Sequence, residues 1–253
     1  MKLPVLAILA LALAACARQE PTPTPKPAAK PIYFKVDPAT VAEISGTIRF
    51  TGKKPSATPI DMDQDQDCAR MQAKQHRSDE AVSVNSNGTL ANVFVYLKTG
   101  LEGKIFEPKS EAGAIDQQGC WFGPRVVGVQ TAQPLRVTNS DPVTHNIHPM
   151  AAVNREWNQS QGPGDEAFSR KFAKPEIMIP VKCNIHKWMH ASIAVVEHPY
   201  FAVSGTDGSF AIANIPPGSY TLAAWQEKFG WQEQTVILAP AAKIKLSFTF
   251  KGE

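Results

Sequence analysis

The sequence predicts an all-β protein, and three observations lead to this prediction. Apolar and polar residues alternate over 44–50 and 243–250, which is the pattern of half-buried strands. Asn87-Gly88 and Asp207-Gly208 are strong turn signals between apolar segments. No stretch of the chain keeps a helical period of apolar residues. Strands at short spacing with Gly and Pro turns between them favour β-sandwiches.

The first element is an apolar run over 3–15 that follows the positive charge of Lys2. It is too short to span a bilayer, so residues 1–15 are interpreted as an export signal. The sequence LAAC that ends at Cys16 resembles the bacterial lipobox. This resemblance implies that Cys16 becomes the lipid-acylated first residue of the mature protein. The alternative is an ordinary secretory signal followed by a chance cysteine.

The next element, 16–42, is a linker in which Pro alternates with Thr, Ala and Lys. Proline lacks the backbone donor that helices and sheets need, so a semi-extended tether is predicted. Such a tether holds a folded part away from a membrane while leaving it free to meet partners. Further along, the polar stretch 61–80 is predicted to be a short helix or a surface loop.

The charge balance excludes one class of partner. The chain has 26 Lys and Arg residues against 23 Asp and Glu residues, and no basic stretch is interleaved with aromatic residues. Nucleic-acid binding is therefore not expected.

Two short segments, 139–148 and 183–189, contain the residues with metal-binding chemistry. The second has Cys followed by His at +3 and Met at +6, and the first supplies a His about forty residues upstream. Two imidazoles, a thiolate and a weak axial thioether are the donors of a blue-copper centre. The alternative is a buried Cys and Met in a core with surface histidines. Zinc fits less well, because methionine is not among the usual zinc ligands.

The spacing Cys-x2-His-x2-Met is similar to the short ligand loop of amicyanin-like cupredoxins. The Asn-x-Asp that precedes the upstream His, and the Asn directly after it, match the same family. The resemblance implies a Greek-key sandwich with one type 1 copper ion held by four ligands: His145, Cys183, His186 and Met189.

The same resemblance implies roles for neighbouring residues. Asn146 is expected to form hydrogen bonds near the thiolate and hold the ligand loop. His186, at the exposed end of the loop, is the expected electron exit, with Trp188 and Ile147 in an apolar docking surface around it. Lys187 stands where many members of the family have proline, which leaves the copper potential and the partner preference open.

The C-terminal run FAVSGTDGSFAIANIPPGSYTLAAW resembles the transthyretin-like module known as the carboxypeptidase regulatory-like domain. The start of such a module lies near the N-terminus, in ISGTIRFTGKKP and ANVFVYL. We therefore predict a discontinuous transthyretin-like sandwich over 43–98 and 199–251. The cupredoxin domain, 99–198, is inserted in it or packed beside it.

Cys68 and Cys120 remain once Cys16 is assigned to lipid and Cys183 to the ligand loop. An exported protein meets oxidising conditions, so a disulfide between these two cysteines is predicted. The alternative is two buried free thiols.

Three functions are compatible with this sequence. The first is electron transfer with a partner protein such as a cytochrome or an oxidoreductase, at the periplasmic or outer face of a bacterial cell envelope. The second is copper storage or delivery, and the third is a structural or carbohydrate-binding module. An enzyme is not expected, because four protein ligands leave no open copper position and no nucleophile–base motif is present.

Overall fold

The structure is a computed structural model that describes residues 31–75 and 77–253. The predicted export signal, the lipid site at Cys16 and the first part of the linker lie outside the described residues. Within those residues, no helix is long and apolar enough to cross a membrane.

The all-β prediction is confirmed: the described chain forms sixteen strands and one short helix, α1. The bounds, in chain order, are β1 Ala42–Thr51, α1 Gln66–Gln72, β2 Phe94–Thr99, β3 Gly113–Gln117, β4 Phe122–Gly123, β5 Val126–Gln130, β6 Leu135–Asn139, β7 His145–Pro149, β8 Gln159–Gln161, β9 Phe168–Arg170, β10 Glu176–Lys182, β11 His190–Val196, β12 Phe201–Val203, β13 Ser209–Ile215, β14 Gly218–Gln226, β15 Gly230–Leu238 and β16 Lys243–Lys251.

One pair of sheets is built from strands near both ends of the described chain. Its sheets have the orders β13-β1-β16 and β12-β2-β14-β15, and β1 runs parallel to β16. The apolar residues that alternate with polar ones in β1 and β16 face a single buried core between these two sheets. This core includes Ile44, Ile48, Phe248 and Phe250.

The second pair of sheets is formed by the stretch between β2 and β12. Its sheets have the orders β5-β11-β10-β7-β8 and β4-β3-β6-β9. Their inner faces enclose a separate core that includes Ile115, Leu135, Ile193, Cys183 and Met189. Residues 32–253 form one compact unit, and the predicted domain boundaries stay a prediction.

The outer faces of the two pairs of sheets pack against each other. Phe94 on β2 is fully buried among Val126, Ala194 and Val196 of the second pair. The sheets approach closely at Gly128, where an added Cβ would lie 2.6 Å from Phe201 and 2.8 Å from Phe94.

The polar stretch 61–80 contains helix α1. Asp65 is its N-cap, and its carboxylate accepts hydrogen bonds from the backbone N–H groups of Asp67 and Cys68. The predicted disulfide is present in the structure and joins Cys68 of α1 to Cys120, with the two Cα atoms 5.6 Å apart. This bond fixes α1 against the second pair of sheets.

Candidate metal centre

Three of the four predicted ligands converge at one end of the second core. His145 begins β7, Cys183 follows directly after β10, and His186 lies in the loop between β10 and β11. Because β7 pairs with β10, the histidine from the distant segment is brought to this loop. The Nδ1 atoms of His145 and His186 are 2.8 Å apart, and the Cys183 Sγ lies 3.8 Å from Nδ1 of His186.

The fourth predicted ligand, Met189, closes the loop. Its side chain is fully buried in the same core as Cys183. The backbone N–H of Cys183 donates to the Met189 carbonyl at 3.2 Å, and the Met189 N–H donates to the His186 carbonyl at 3.0 Å. Seven residues therefore form a tight loop whose ends are hydrogen-bonded to each other.

Asn146 contacts the start of the ligand loop. Its Oδ1 accepts the backbone N–H of Asn184 at 2.7 Å and lies 3.3 Å from the Cys183 Sγ. Its Nδ2 donates to Oδ1 of Asn158 at 2.6 Å. The His186 N–H adds a contact to the Cys183 sulfur at 3.3 Å.

The distal nitrogen of each histidine faces a carboxylate. Nε2 of His145 is 2.8 Å from Oδ2 of Asp141. The same carboxylate accepts the Gly119 N–H at Oδ1 and the Cys120 N–H at Oδ2. Nε2 of His186 is 3.0 Å from Oδ2 of Asp65. Sequence reasoning missed both roles. Asp141 is the Asp of the quoted Asn-x-Asp motif, whereas Asp65 has no local signal, because it is 121 residues from His186 in the chain.

The charges of these groups support one another. Burial disfavours the charged imidazole of His145, but its hydrogen bonds to Asp141 and Cys183 outweigh burial and raise its pKa to about 8. Burial likewise disfavours the thiolate, but hydrogen bonds from His145 and His186 lower the pKa of Cys183 to about 5. The thiolate, which is the metal-binding form of cysteine, is thus the stable form at neutral pH.

The expected exposure of His186 is wrong. The residue His186 is 2% exposed, because Asp65 and the Cys68–Cys120 disulfide cover the outer edge of its imidazole. The placement of Ile147 in a docking surface is also wrong, because the alternation of β7 turns its side chain into the core, where it is fully buried. Trp188 is half-buried, with its ring centroid 5.2 Å from that of His186, and its indole N–H donates to the Cys120 carbonyl.

The residues present fit a copper ion. Two imidazoles and a thiolate, with the thioether of Met189 buried in the same core, form a donor set that suits copper in either redox state. Both distal nitrogens already face carboxylates, so the two Nδ1 atoms are left to face each other and the sulfur. His145, Cys183 and His186 bring their ligand atoms within 4.8 Å of one another.

Comparisons with known proteins gave matches among solved structures alone. No family model and no curated protein matches the chain. A copper-containing nitrite reductase from Thermus scotoductus aligns at 21% identity and a TM-score of 0.32, over 40% of this chain and 25% of that one. An oxidised amicyanin variant aligns at 16% identity and a TM-score of 0.31, over 40% of this chain and 97% of its own. A purple cupredoxin from Nitrosopumilus maritimus aligns at 19% identity and a TM-score of 0.28, over 33% of this chain and 98% of its own.

Proposed function

We propose that this protein transfers electrons through one type 1 copper ion held by His145, Cys183, His186 and Met189. The observation on which the proposal depends is the convergence of two imidazole Nδ1 atoms and one thiolate in a buried site. A copper ion in this donor set alternates between Cu(I) and Cu(II) and so accepts and releases one electron.

The chain's own residues support a carrier rather than a catalyst. The ligand loop is closed by backbone hydrogen bonds and held by Asn146, so the donor atoms have little freedom to move. Cys183, His186 and Met189 are each 2% exposed or less, which excludes bulk water from the donors. With four protein ligands in a buried site, the proposed role is electron transfer without a chemical reaction on a bound molecule.

The location and the partner belong to the same proposal and depend on the sequence. An export signal over 1–15 that is followed directly by Cys16 supports a lipid anchor in a bacterial envelope, with the folded part at the periplasmic or outer face. A soluble or membrane-bound redox protein, such as a cytochrome or an oxidoreductase, would be the electron partner. Mass spectrometry of Cys16 in the membrane fraction tests the anchor.

The decisive experiment is spectroscopic. Residues 17–253 are loaded with Cu(II), and absorption and EPR spectra are recorded. An intense thiolate-to-copper band with a narrow copper hyperfine splitting is expected, and Cys183→Ser should abolish it. His148→Gln is the matched control, because His148 is a neighbouring histidine that contacts Asn184 and Glu156 instead of the centre. Its spectrum should equal that of the wild type.

Other outcomes separate the competing functions. A colourless protein that binds Cu(I) alone would contradict electron transfer and indicate copper storage or delivery. A protein that binds no copper would indicate a structural module. If the type 1 spectrum is present, reversible voltammetry is expected to show a one-electron couple.

A further inference from the structure

We propose that Asp65 is a positioning residue for His186: its carboxylate holds the distal nitrogen so that the imidazole presents Nδ1 to the metal and favours Cu(II) over Cu(I). The inference deepens the proposed function and rests on it. It concerns a residue of the distant segment around α1, outside the two segments that supply the ligands.

Both carboxylate oxygens of Asp65 have a hydrogen-bond partner. Oδ1 of Asp65 accepts the backbone N–H groups of Cys68 at 2.9 Å and Asp67 at 3.1 Å, which fixes the carboxylate at the N-terminus of α1. Oδ2 is left for the imidazole and lies 3.0 Å from Nε2 of His186. Because His186 is 2% exposed, water cannot easily replace this partner.

The segment that carries Asp65 is also tied by a disulfide to Cys120, which lies beside the candidate centre. Cys68, three residues further on, is bonded to Cys120 and lies 3.7 Å from Nε2 of His186. The Cys120 N–H donates to Asp141, and its carbonyl accepts the indole N–H of Trp188. Asp65 is thus held next to His186 by a segment whose disulfide lies beside both histidines.

The chemistry follows from the donor and acceptor roles. When Nε2 donates its proton to a carboxylate, the lone pair of the neutral imidazole lies on Nδ1, the atom that faces Cys183 and His145. The carboxylate also raises the basicity of the imidazole and adds a negative charge near the ion. Both effects stabilise the doubly charged ion more than the singly charged one. Asp141 has the same relation to His145, so each imidazole is paired with a carboxylate.

The test replaces Asp65 with asparagine. Asparagine is an equally good N-cap, so Asp65→Asn preserves α1 while removing the charge and placing an amide N–H or a weaker acceptor against Nε2. Loss of such an outer partner weakens metal affinity about 10–100-fold. We expect Asp65→Asn to lose Cu(II) affinity by this factor and to keep its Cu(I) affinity. Each tenfold loss of Cu(II) affinity then raises the reduction potential by about 59 mV.

Asp63→Asn is the matched control. Asp63 is an exposed residue of the same segment, so its substitution makes the same change in net charge. The Cu(II) affinity of Asp63→Asn should stay within about threefold of the wild-type affinity. At about 59 mV per tenfold change, its reduction potential should then stay within about 28 mV of the wild-type value. Asp65→Ser, which keeps an N-cap but is too short to reach the imidazole, should behave like Asp65→Asn. Equal values for Asp65→Asn and Asp63→Asn, or a wild-type value for Asp65→Ser, would overturn the proposal.

A second readout needs no copper. In the metal-free protein, proton NMR should show a downfield, slowly exchanging Nε2 proton of His186 that disappears or shifts in Asp65→Asn and persists in Asp63→Asn. If the wild type never gives a type 1 spectrum, the copper proposal fails while this signal still reports on the Asp65 contact. Absence of the signal in a wild type with a type 1 spectrum would reject the role of Asp65 alone.

Discussion

Three of the four predicted ligands, Cys183, His145 and His186, are each held by a neighbouring polar side chain. Asn146 holds the start of the ligand loop, Asp141 holds one imidazole and Asp65 holds the other. These neighbours limit the freedom of the donors before any ion arrives, and such preorganisation is what a metal site requires of its outer shell.

We expect Asn146→Ala to destabilise the metal-free protein by about 1–3 kcal/mol, because it leaves the Asn184 N–H without its partner. Asn146 itself is 3% exposed, so water replaces the lost oxygen poorly. Urea unfolding measures the loss. Ser160→Ala is the control, because Ser160 is an exposed residue opposite Asn146 on β8, and the substitution should change stability by less than about 0.5 kcal/mol. Equal stabilities of the two variants would contradict the role given to Asn146.

Among the secondary structure elements, helix α1 depends for its stability on contacts with the rest of the fold. A helix of seven residues is marginal by itself in water, and its stability must come from packing and from the bond at Cys68. The polar sequence around α1 is compatible with either a helix or a loop, and the disulfide together with the buried Cys68 decides for the helix.

Replacing both cysteines, Cys68→Ser with Cys120→Ser, should lower the free energy of unfolding by about 4 kcal/mol. This is the chain-entropy value for a closed loop with a sequence separation of 52 residues. Urea unfolding of the oxidised wild type and the double variant measures it. Added reductant should destabilise the wild type towards the variant and leave the variant unchanged. A loss below about 1 kcal/mol would show that the bond adds little to packing.

His198 links the element β2 to the segment before β12. Its Nε2 donates to the Leu97 carbonyl at 2.9 Å, and its Nδ1 accepts the Tyr200 N–H at 3.2 Å. The bond from Tyr200 requires the neutral imidazole, because a protonated Nδ1 cannot accept a hydrogen bond. Burial disfavours the charged form and lowers the pKa of His198 to about 4.

This lowered pKa predicts a dependence of stability on pH. The unfolded chain takes up the proton near pH 6.5 and the folded chain near pH 4, so the contribution is complete above 6.5 and is lost as the pH falls towards 4. The loss is about 3 kcal/mol at 1.36 kcal/mol per pKa unit. Unfolding free energies of the wild type between pH 7 and 4 measure it. His198→Gln, which cannot be protonated, should show a shallower decline, and parallel curves would contradict the assignment.

On the scale of the whole molecule, the two pairs of sheets are joined by an apolar contact between outer faces. Phe94, Val126, Ala194 and Val196 form a core of their own between them. Arg125 reinforces this contact with an ion pair to Glu227, at 2.9 Å. The candidate metal centre lies in one pair of sheets, and the other pair packs against it through this shared face.

Phe94→Ala should destabilise the protein by about 3–5 kcal/mol, because it leaves a cavity in this shared face. Calorimetry measures the loss and also whether the two pairs of sheets then unfold separately. Ile237→Ala is the matched control, since Ile237 is 72% exposed on the same sheet and should change stability by less than about 0.5 kcal/mol. A Phe94→Ala variant as stable as the control would show that the contact contributes nothing.

Features that depend on short stretches of sequence were predictable. Alternation over β1 and β16 reports which face is buried, because successive side chains of a strand point to opposite sides. The ligand loop was predictable because Cys183, His186 and Met189 are close in the chain and any fold of that loop keeps them together.

Features that depend on distant segments were decided by the tertiary structure. The burial of His186, the carboxylate of Asp65 at its Nε2 and the packing of Phe94 between sheets all join residues about thirty or more positions apart. A sequence pattern records whether a side chain prefers to be buried, and it does not record which distant surface covers it. That choice is made when the disulfide and the two cores bring the segments together, which is why the exposed electron exit expected from the sequence is a buried imidazole in the fold.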